Sequence, residues 1–278
     1  MVAPTNLPAG LDTGATIRNP LSKDVYLLGD RLGKGGFGTA FKASRLVDGE
    51  PTEVVCLKVT RDSGGWHGEA FLGEFLHNSP RAVRVHDAFP FIWESGRQRK
   101  RRTILFALAS ELMTKGTVAD WCARPDEPAW PEARVRREIR LLLATVDQLH
   151  VNGVSHRDIT PGNVFLGPRS TLKLGDFGIA AMARLHRGVR ANAYNAAFKP
   201  PNVTAFWTPA DDLYQIGLLA MTLLAGVEVV AGVKKPAVNG LTPTDLVLRD
   251  VIKTAISSNR KERFQDADEM ARALKHGP

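Results

Sequence analysis

Cysteine is scarce in this chain: Cys56 and Cys122 are the two among 278 residues. Two thiols cannot build a disulfide framework, and no Cys/His spacing matches a zinc site. This usage fits a reducing compartment, and a cytoplasmic location is the expectation. Periodic glycine and proline are also missing, which excludes collagen-like and low-complexity classes. The first residues, MVAPTNLPAGLDTG, have no basic run ahead of an apolar core and do not read as a signal peptide. Charge is nearly missing from Leu213 to Val233, where only Glu228 interrupts. A stretch of that length can span a bilayer. Tyr214, Gln215, Gly217 and Gly226 within it, and Asp211-Asp212 at its start, favour a buried helix and no membrane span.

What the chain does have is ordinary globular material. Hydrophobic residues make up 44% and charged residues 24%, enough to bury a sizeable core. At roughly 150 residues per domain, the length predicts about two compact units. The formal charge is +8, from 37 Lys+Arg against 29 Asp+Glu. Five of those positive charges fall within Arg97–Arg102, so the rest of the chain carries +3. Such an excess is compatible with nucleic acid, an anionic membrane or an anionic ligand, and gives no firm evidence for nucleic acid. The run at 97–102 reads either as a solvated hairpin tip or as a docking patch for an acidic partner.

Residues 1–20 carry no periodic pattern and read as a flexible lead-in. Short β-type runs follow at Tyr26–Leu32, Thr39–Ala43, Glu53–Thr60, Val83–Ile92 and Thr103–Leu112. One helix is predicted over Gly68–His77, from the spacing of Ala70, Phe71, Phe75 and Leu76. From Pro131 the texture becomes helical. A stripe of Val135, Ile139, Leu142, Leu143, Val146 and Leu149 runs to His150, and Gly153 stops it. Strand-like pieces at Asn163–Gly167 and Thr171–Leu174 precede helical patterns at Asp212–Leu224, Pro243–Ser257 and Asp266–Leu274. The predicted class is α+β: a small antiparallel sheet with one helix over 21–113, then a larger, mainly helical part over 114–278.

Three groups of residues carry chemistry. Gly33-Lys34-Gly35-Gly36-Phe37-Gly38 lies between two strands, where glycines let backbone N–H groups approach phosphate oxygens. The same pattern also occurs in plain glycine hairpins. A strand follows it, which argues against a dinucleotide-binding fold. Lys58 stands inside the apolar strand Val55-Cys56-Leu57-Lys58-Val59. It is either a lysine snorkelling at a strand edge or a phosphate-binding lysine paired with a carboxylate. His156-Arg157-Asp158-Ile159-Thr160-Pro161-Gly162-Asn163 followed by Gly175-Asp176-Phe177-Gly178 supplies two carboxylates and an amide, all oxygen donors suited to Mg²⁺ and to proton acceptance.

In this order the motifs resemble those of eukaryotic-type protein kinase domains, in a texture similar to bacterial Ser/Thr kinases, over about residues 25–275. The resemblance implies a bilobal kinase-like fold with ATP held between the lobes. It implies that Gly33, Lys34, Gly35, Gly36, Phe37 and Gly38 cover the phosphates and that Ala40 lies over the adenine. Lys58 would hold the α- and β-phosphates. Glu111-Leu112-Met113 would form the hinge, with Ser110 before it. Asp158 would accept or steer the substrate hydroxyl proton, and Asn163 and Asp176 would bind Mg²⁺. Glu69 is the favoured partner of Lys58, with Glu74 as the runner-up. The implied activity is ATP-dependent phosphorylation of Ser/Thr hydroxyls on a protein substrate. A pseudokinase scaffold and a small-molecule phosphotransferase are the rival readings, the latter because Asp158 to Asn163 also resembles the loop of aminoglycoside and choline kinases.

Several positions depart from the family. Thr160 stands where Ser/Thr kinases usually carry Lys, and Asn195 where they carry Thr; a Thr160–Asn195 hydrogen bond could replace that pair. Pro200-Pro201-Asn202 takes the place of Ala-Pro-Glu, so the acid that would pair with Arg263 is missing. Ala40 replaces the usual Val. The segment Ile179–Lys199 contains no Ser or Thr, and Tyr194 is its one hydroxyl. If the resemblance holds, Ser/Thr phosphorylation of this segment is not expected to switch the activity. Phosphosite mapping of the active protein checks this: a stoichiometric, activating site between 179 and 199 other than Tyr194 ends the idea.

Overall fold

The computed structural model describes residues 7–35, 38–95, 101–182, 189–190, 195–203, 206–232 and 244–276. The chain divides into two compact units. The first comprises Met1–Asn78 and Val83–Met113; the second comprises Ser79–Ala82 and Thr114–Pro278.

The first unit is built on one antiparallel sheet. Its strands are β1 (Thr16–Arg18), β2 (Val25–Gly35), β3 (Gly38–Val47), β4 (Glu50–Thr60), β5 (Val85–Ser95) and β6 (Arg101–Glu111), in the order β1-β2-β3-β4-β6-β5. Side chains alternate across each strand. Tyr26, Leu28, Phe41, Ala43, Val55, Leu57, Val59, Phe89, Leu105 and Ala107 therefore share one face and form its core. Removing each large side chain from water contributes about 1.5–3 kcal/mol. The buried Tyr26 hydroxyl donates to Asp87 at 2.9 Å, and Asn19 donates to the same carboxylate oxygen at 2.7 Å.

Asn19 belongs to the segment expected to be a flexible lead-in, and the structure corrects that expectation from Leu11 onward. Leu11 and Ile17 are buried, and β1 pairs with β2. Two apolar residues six apart are too sparse to form a pattern, which is why the sequence hides this strand.

The helix α1 (Ser63–Phe75) begins earlier than predicted. Asp62 caps it by accepting from the Gly64 and Gly65 amides. Its inward face is Trp66, Glu69, Leu72 and Gly73. Phe71 and Phe75, half of the predicted apolar stripe, point outward and are exposed. Glutamate and glycine in the buried stripe broke the periodic signal.

The second unit is mainly helical: α2 (Val118–Cys122), α3 (Glu132–Val151), α4 (Pro209–Ala225), α5 (Leu246–Ala255) and α6 (Ala267–His276). The short α2 is absent from the sequence prediction. It exists through a capping box in which Thr117 and Asp120 satisfy each other's backbone amides. The stripe on α3 is buried as predicted, together with Glu138 and Thr145. These two polar residues hold Ser79–Ala82: Arg81 pairs with Glu138 at 2.5 Å and Ser79 bonds Thr145 at 2.7 Å. Short strand pairs complete the unit: β7 (Val154–Ser155) with β10 (Ala181–Met182), β8 (Val164–Leu166) with β9 (Leu172–Leu174), and β11 (Val189–Arg190) with β12 (Phe206–Trp207).

The uncharged stretch from Leu213 lies mostly in α4, which is buried on every side from Ala210 to Leu223 and so shows no amphipathic period. It ends at Gly226, whose φ of 71° closes the helix. Among the described residues no helix is long and apolar enough to cross a membrane. Of the basic run, 97–100 lie outside the described residues. Arg101 and Arg102 open β6, and Arg102 meets Glu94 at 3.5 Å.

Gly38 at the start of β3 has φ 141°, and a Cβ there would stand 2.6 Å from the Val59 carbonyl oxygen, whereas nothing crowds Gly33. Gly38→Ala is expected to cost about 1–3 kcal/mol, and Gly33→Ala at most about 0.5 kcal/mol. Urea denaturation of both variants checks the contrast.

Candidate active site

The first unit presents a rung of residues across its sheet. Ala40 is paired with Gly33 on one side and with Lys58 on the other, and Lys58 is paired with Leu108. Alternation puts Cys56 on the same face as Lys58, and Ser110 is its cross-strand partner. This is the face opposite the core, and α1 packs on it through Trp66, whose ring meets Phe106 at 5.0 Å and whose indole N–H donates to the Ala107 carbonyl. That anchorage aims Glu69 at the strand. Lys58 Nζ donates to Glu69 Oε2 at 2.8 Å, with side-chain exposures of 18% and 9%. So enclosed a lysine requires an anion, and Glu69 supplies it; Glu74 is exposed.

Gly33, Lys34 and Gly35 end β2, and Gly38 begins β3, so the glycine-rich segment is a hairpin tip. Gly36 and Phe37 lie outside the described residues. Glu111, at the end of β6, exchanges two bonds with Arg84: its amide donates to the Arg84 carbonyl at 2.9 Å and its carboxylate accepts from the Arg84 amide at 2.8 Å. Met113 is the last residue of this unit and is half-buried.

The second unit gathers Asp158, Asn163 and Asp176 although they span nineteen positions. Val164 faces Leu174 in the β8–β9 hairpin, so the residues just outside it, Asn163 and Gly175, become neighbours. The Gly175 amide donates to the Asn163 carbonyl at 3.0 Å, and Asp176 follows with φ 55°. Asn163 Nδ2 donates to Asp158 twice, to the backbone oxygen at 3.0 Å and to Oδ2 at 2.7 Å. With its nitrogen so used, the Asn163 side chain has its oxygen left to offer a cation. Asp158 Oδ1 is buried and has no hydrogen-bond partner in the structure. Burial, then the charge of Asp176, push the Asp158 carboxyl up to about 6 against the pull of Asn163. No group of three or more His, Cys, Asp or Glu among the described residues could hold a metal alone.

Other expectations on this loop fare differently. Thr160 is buried, and its amide donates to the Asp158 carbonyl at 2.9 Å. The Thr160–Asn195 bond is not formed; Asn195 instead accepts from the Ala197 amide, capping its own short 3-10 turn. Arg157, with φ 69°, is buried and donates to the Ile179 carbonyl. Tyr194 and most of the segment before it lie outside the described residues.

Sequence reasoning put Asp211-Asp212 and Gln215 in a buried helix but gave them no part in holding this loop. Asp212, fully buried in the first turn of α4, accepts from the His156 amide at 2.8 Å, the Arg157 amide at 2.9 Å, the Trp207 indole at 2.8 Å and lies 2.9 Å from His150 Nε2. Gln215, one turn on, accepts from the Ile159 amide and donates to the Arg157 and Phe198 carbonyls. The signal was present: two aspartates open a stretch from Leu213 to Val233 in which Glu228 is the one charged residue, and a buried charge there needs partners.

Asp158 thus stands with Oδ2 held by Asn163 and Oδ1 buried without a partner, beside the oxygens of Asn163 and Asp176, donors of the kind a hard cation takes. The family model described as Protein kinase domain matches residues 26–275, and the chain belongs to that family. It is similar to an interferon-induced, double-stranded RNA-activated protein kinase of Rattus norvegicus, at 29% identity over 171 residues, 59% of this chain and 33% of that protein. It is also similar to the serine/threonine-protein kinase PEPKR2 of Arabidopsis thaliana, at 26% identity over 205 residues, 73% of this chain and 40% of that one. The chain thus spans less than half the length of these curated relatives. The crystal structure of the Mycobacterium tuberculosis PknI kinase domain shares the fold, with a TM-score of 0.64 and 21% identity over 97% of this chain and all of that one.

Burial by itself would raise the Asp212 carboxyl, but bonds and charges from His150, His156 and the Arg157 amide outweigh it and hold it below the ordinary carboxylate value. Because folding lowers this pKa, the stabilisation is complete above about pH 4, where an unfolded aspartate is ionised, and is lost as pH falls through the folded value. Asp212→Asn is expected to cost on the order of 3 kcal/mol near neutral pH. The gap to the wild type should narrow below about pH 4. Urea midpoints across that range check both; a gap independent of pH would remove the charge from the explanation.

Proposed function

We propose that this chain transfers the γ-phosphoryl group of ATP to Ser/Thr hydroxyls of a protein substrate, with Mg²⁺ as the cation. The observation that supports the reading is Asp158: Oδ2 is held by Asn163 at 2.7 Å, while Oδ1 is buried and has no hydrogen-bond partner. Its raised pKa makes it a better proton acceptor than an ordinary aspartate while leaving it ionised at neutral pH.

The residues divide the work. Backbone amides of the hairpin Gly33–Gly38 cover the phosphates, and a hairpin this short of side chains lets them approach closely. Lys58, held in place by Glu69, neutralises the α- and β-phosphates. Ala40 flanks the adenine, and the backbone of Glu111–Met113 meets its edge. Asn163 and Asp176 would hold Mg²⁺, which would supply positive charge against the charge developing on the transferred group. Asp158 orients the substrate hydroxyl and takes its proton as the hydroxyl oxygen bonds to phosphorus and the bond to the bridging oxygen breaks, releasing ADP. Thr160 brings no positive charge to this step, so among these residues Lys58 supplies it.

The test is transfer from labelled ATP with Mg²⁺ to a generic protein substrate, for the wild type and for Lys58→Ala, Asp158→Asn and Asp176→Ala. Each variant is expected to lower transfer by about a hundredfold or more with circular dichroism unchanged. Wild-type rates in Lys58→Ala and Asp158→Asn would refute the assigned site. Nucleotide binding without transfer would favour a scaffold, and transfer only to a small alcohol or aminoglycoside would favour a small-molecule phosphotransferase.

A further inference from the structure

Asp211, the neighbour of Asp212, faces a different set of partners. Its carboxylate is fully buried and accepts from the Thr208 amide at 2.9 Å and the Thr208 hydroxyl at 3.1 Å. It also meets two guanidinium groups: Arg263 Nη1 at 3.0 Å, and Arg260 through Nε at 3.1 Å and Nη2 at 2.8 Å. Arg263 is as deeply enclosed as Asp211, with no side-chain exposure, and lies over the Tyr214 ring at 4.7 Å. Its remaining donors reach backbone: Nε to the Ser257 carbonyl at 2.7 Å and Nη2 to the Pro201 carbonyl at 3.2 Å. Arg260 Nη2 donates to the Phe206 carbonyl at 3.1 Å. Asn202, where an acid is missing, instead donates its side-chain amide to the Ser258 carbonyl at 2.8 Å.

An arginine without exposure cannot stand there without an anion. Asp211 is the carboxylate within reach, and through Arg263 it grips the chain at Pro201. The geometry points to Asp211 as the residue that positions the segment 195–203, the platform on which a protein substrate is aligned, in place of the acid absent at Asn202. The two aspartates then divide their duties: Asp212 suspends the catalytic loop, and Asp211 suspends the platform. The inference rests on the reading of this chain as a kinase of protein substrates. Asp211 is a positioning residue, since it acts through Arg263 and touches no reacting atom.

Asp211→Asn keeps the shape and removes the charge. Hydrogen exchange read by mass spectrometry is expected to accelerate at 195–203 and to stay unchanged at 154–166, the loop held by Asp212. In steady-state kinetics the KM for a protein substrate should rise by about tenfold, with the KM for ATP unchanged. Arg260→Gln, at the more exposed end of the cluster, should produce the same split at about threefold, and it decides the matter if Asp211→Asn does not fold. Equal acceleration of both segments, no acceleration of either, or a substrate KM that holds while kcat falls would overturn the assignment. Hydrogen exchange requires no turnover. A wild type that phosphorylates no protein would therefore refute the functional reading while exchange alone still supported or overturned the role of Asp211.

Discussion

The second unit depends on two adjacent carboxylates at the start of one buried helix. Asp211 and Asp212 occupy the first turn of α4, where the helix dipole favours negative charge and free backbone amides offer partners. Everything after them to Leu223 is buried. A helix of that kind must be packed on all sides, and its N-terminal end is a rigid point from which irregular backbone can be hung. Asp212 takes the amides of His156 and Arg157, Gln215 takes that of Ile159, and Arg157 adopts a positive φ that other surroundings would not support. The geometry of Asp158 is thus set from outside its own loop.

Buried charge is handled in three distinct ways. Asp212 is surrounded by donors and its pKa falls. Lys58 and Glu69 satisfy each other across the sheet and α1, at a desolvation cost that an apolar pair would avoid, so the pair is weak evidence for stability. Asp158 is left partly unsatisfied, with an oxygen unpaired and a second carboxylate nearby, and its pKa rises. The first two groups are rigid fixtures. The third is left with unmet hydrogen-bonding demand, which is what the proposed role of Asp158 as proton acceptor requires.

What could be read from the sequence follows the range of the interactions involved. The strands and α3 were legible because their core contacts impose local periods of two and 3.6. The Asp158–Asn163–Asp176 group was legible from the order of its motifs, and the hairpin between Val164 and Leu174 explains why that spacing closes. The lead-in was misread because β1 contributes a single buried side chain, Ile17. The start of α1 was misread because its buried face contains Glu69 and Gly73 in place of apolar residues. Asp211, Gln215 and Glu138 went unassigned because their partners lie tens of residues away, and a polar side chain carries no sign in the sequence of the backbone group it will hold.

That difficulty is sharpest at Asn202. A comparison of motifs records a lost acid and a stranded Arg263, which reads as damage to the site. The fold contains no such damage, because the requirement is for a carboxylate in a particular place and not for one at a particular position in the chain. Arg263 meets its anion on the first turn of α4, and Asn202 turns its amide to the Ser258 carbonyl. The side chain at 202 can then be neutral without leaving a buried cation unpaired. A departure from a family pattern is evidence of lost function only after the partner it should have served has been found without a substitute; here Arg263 has one in Asp211.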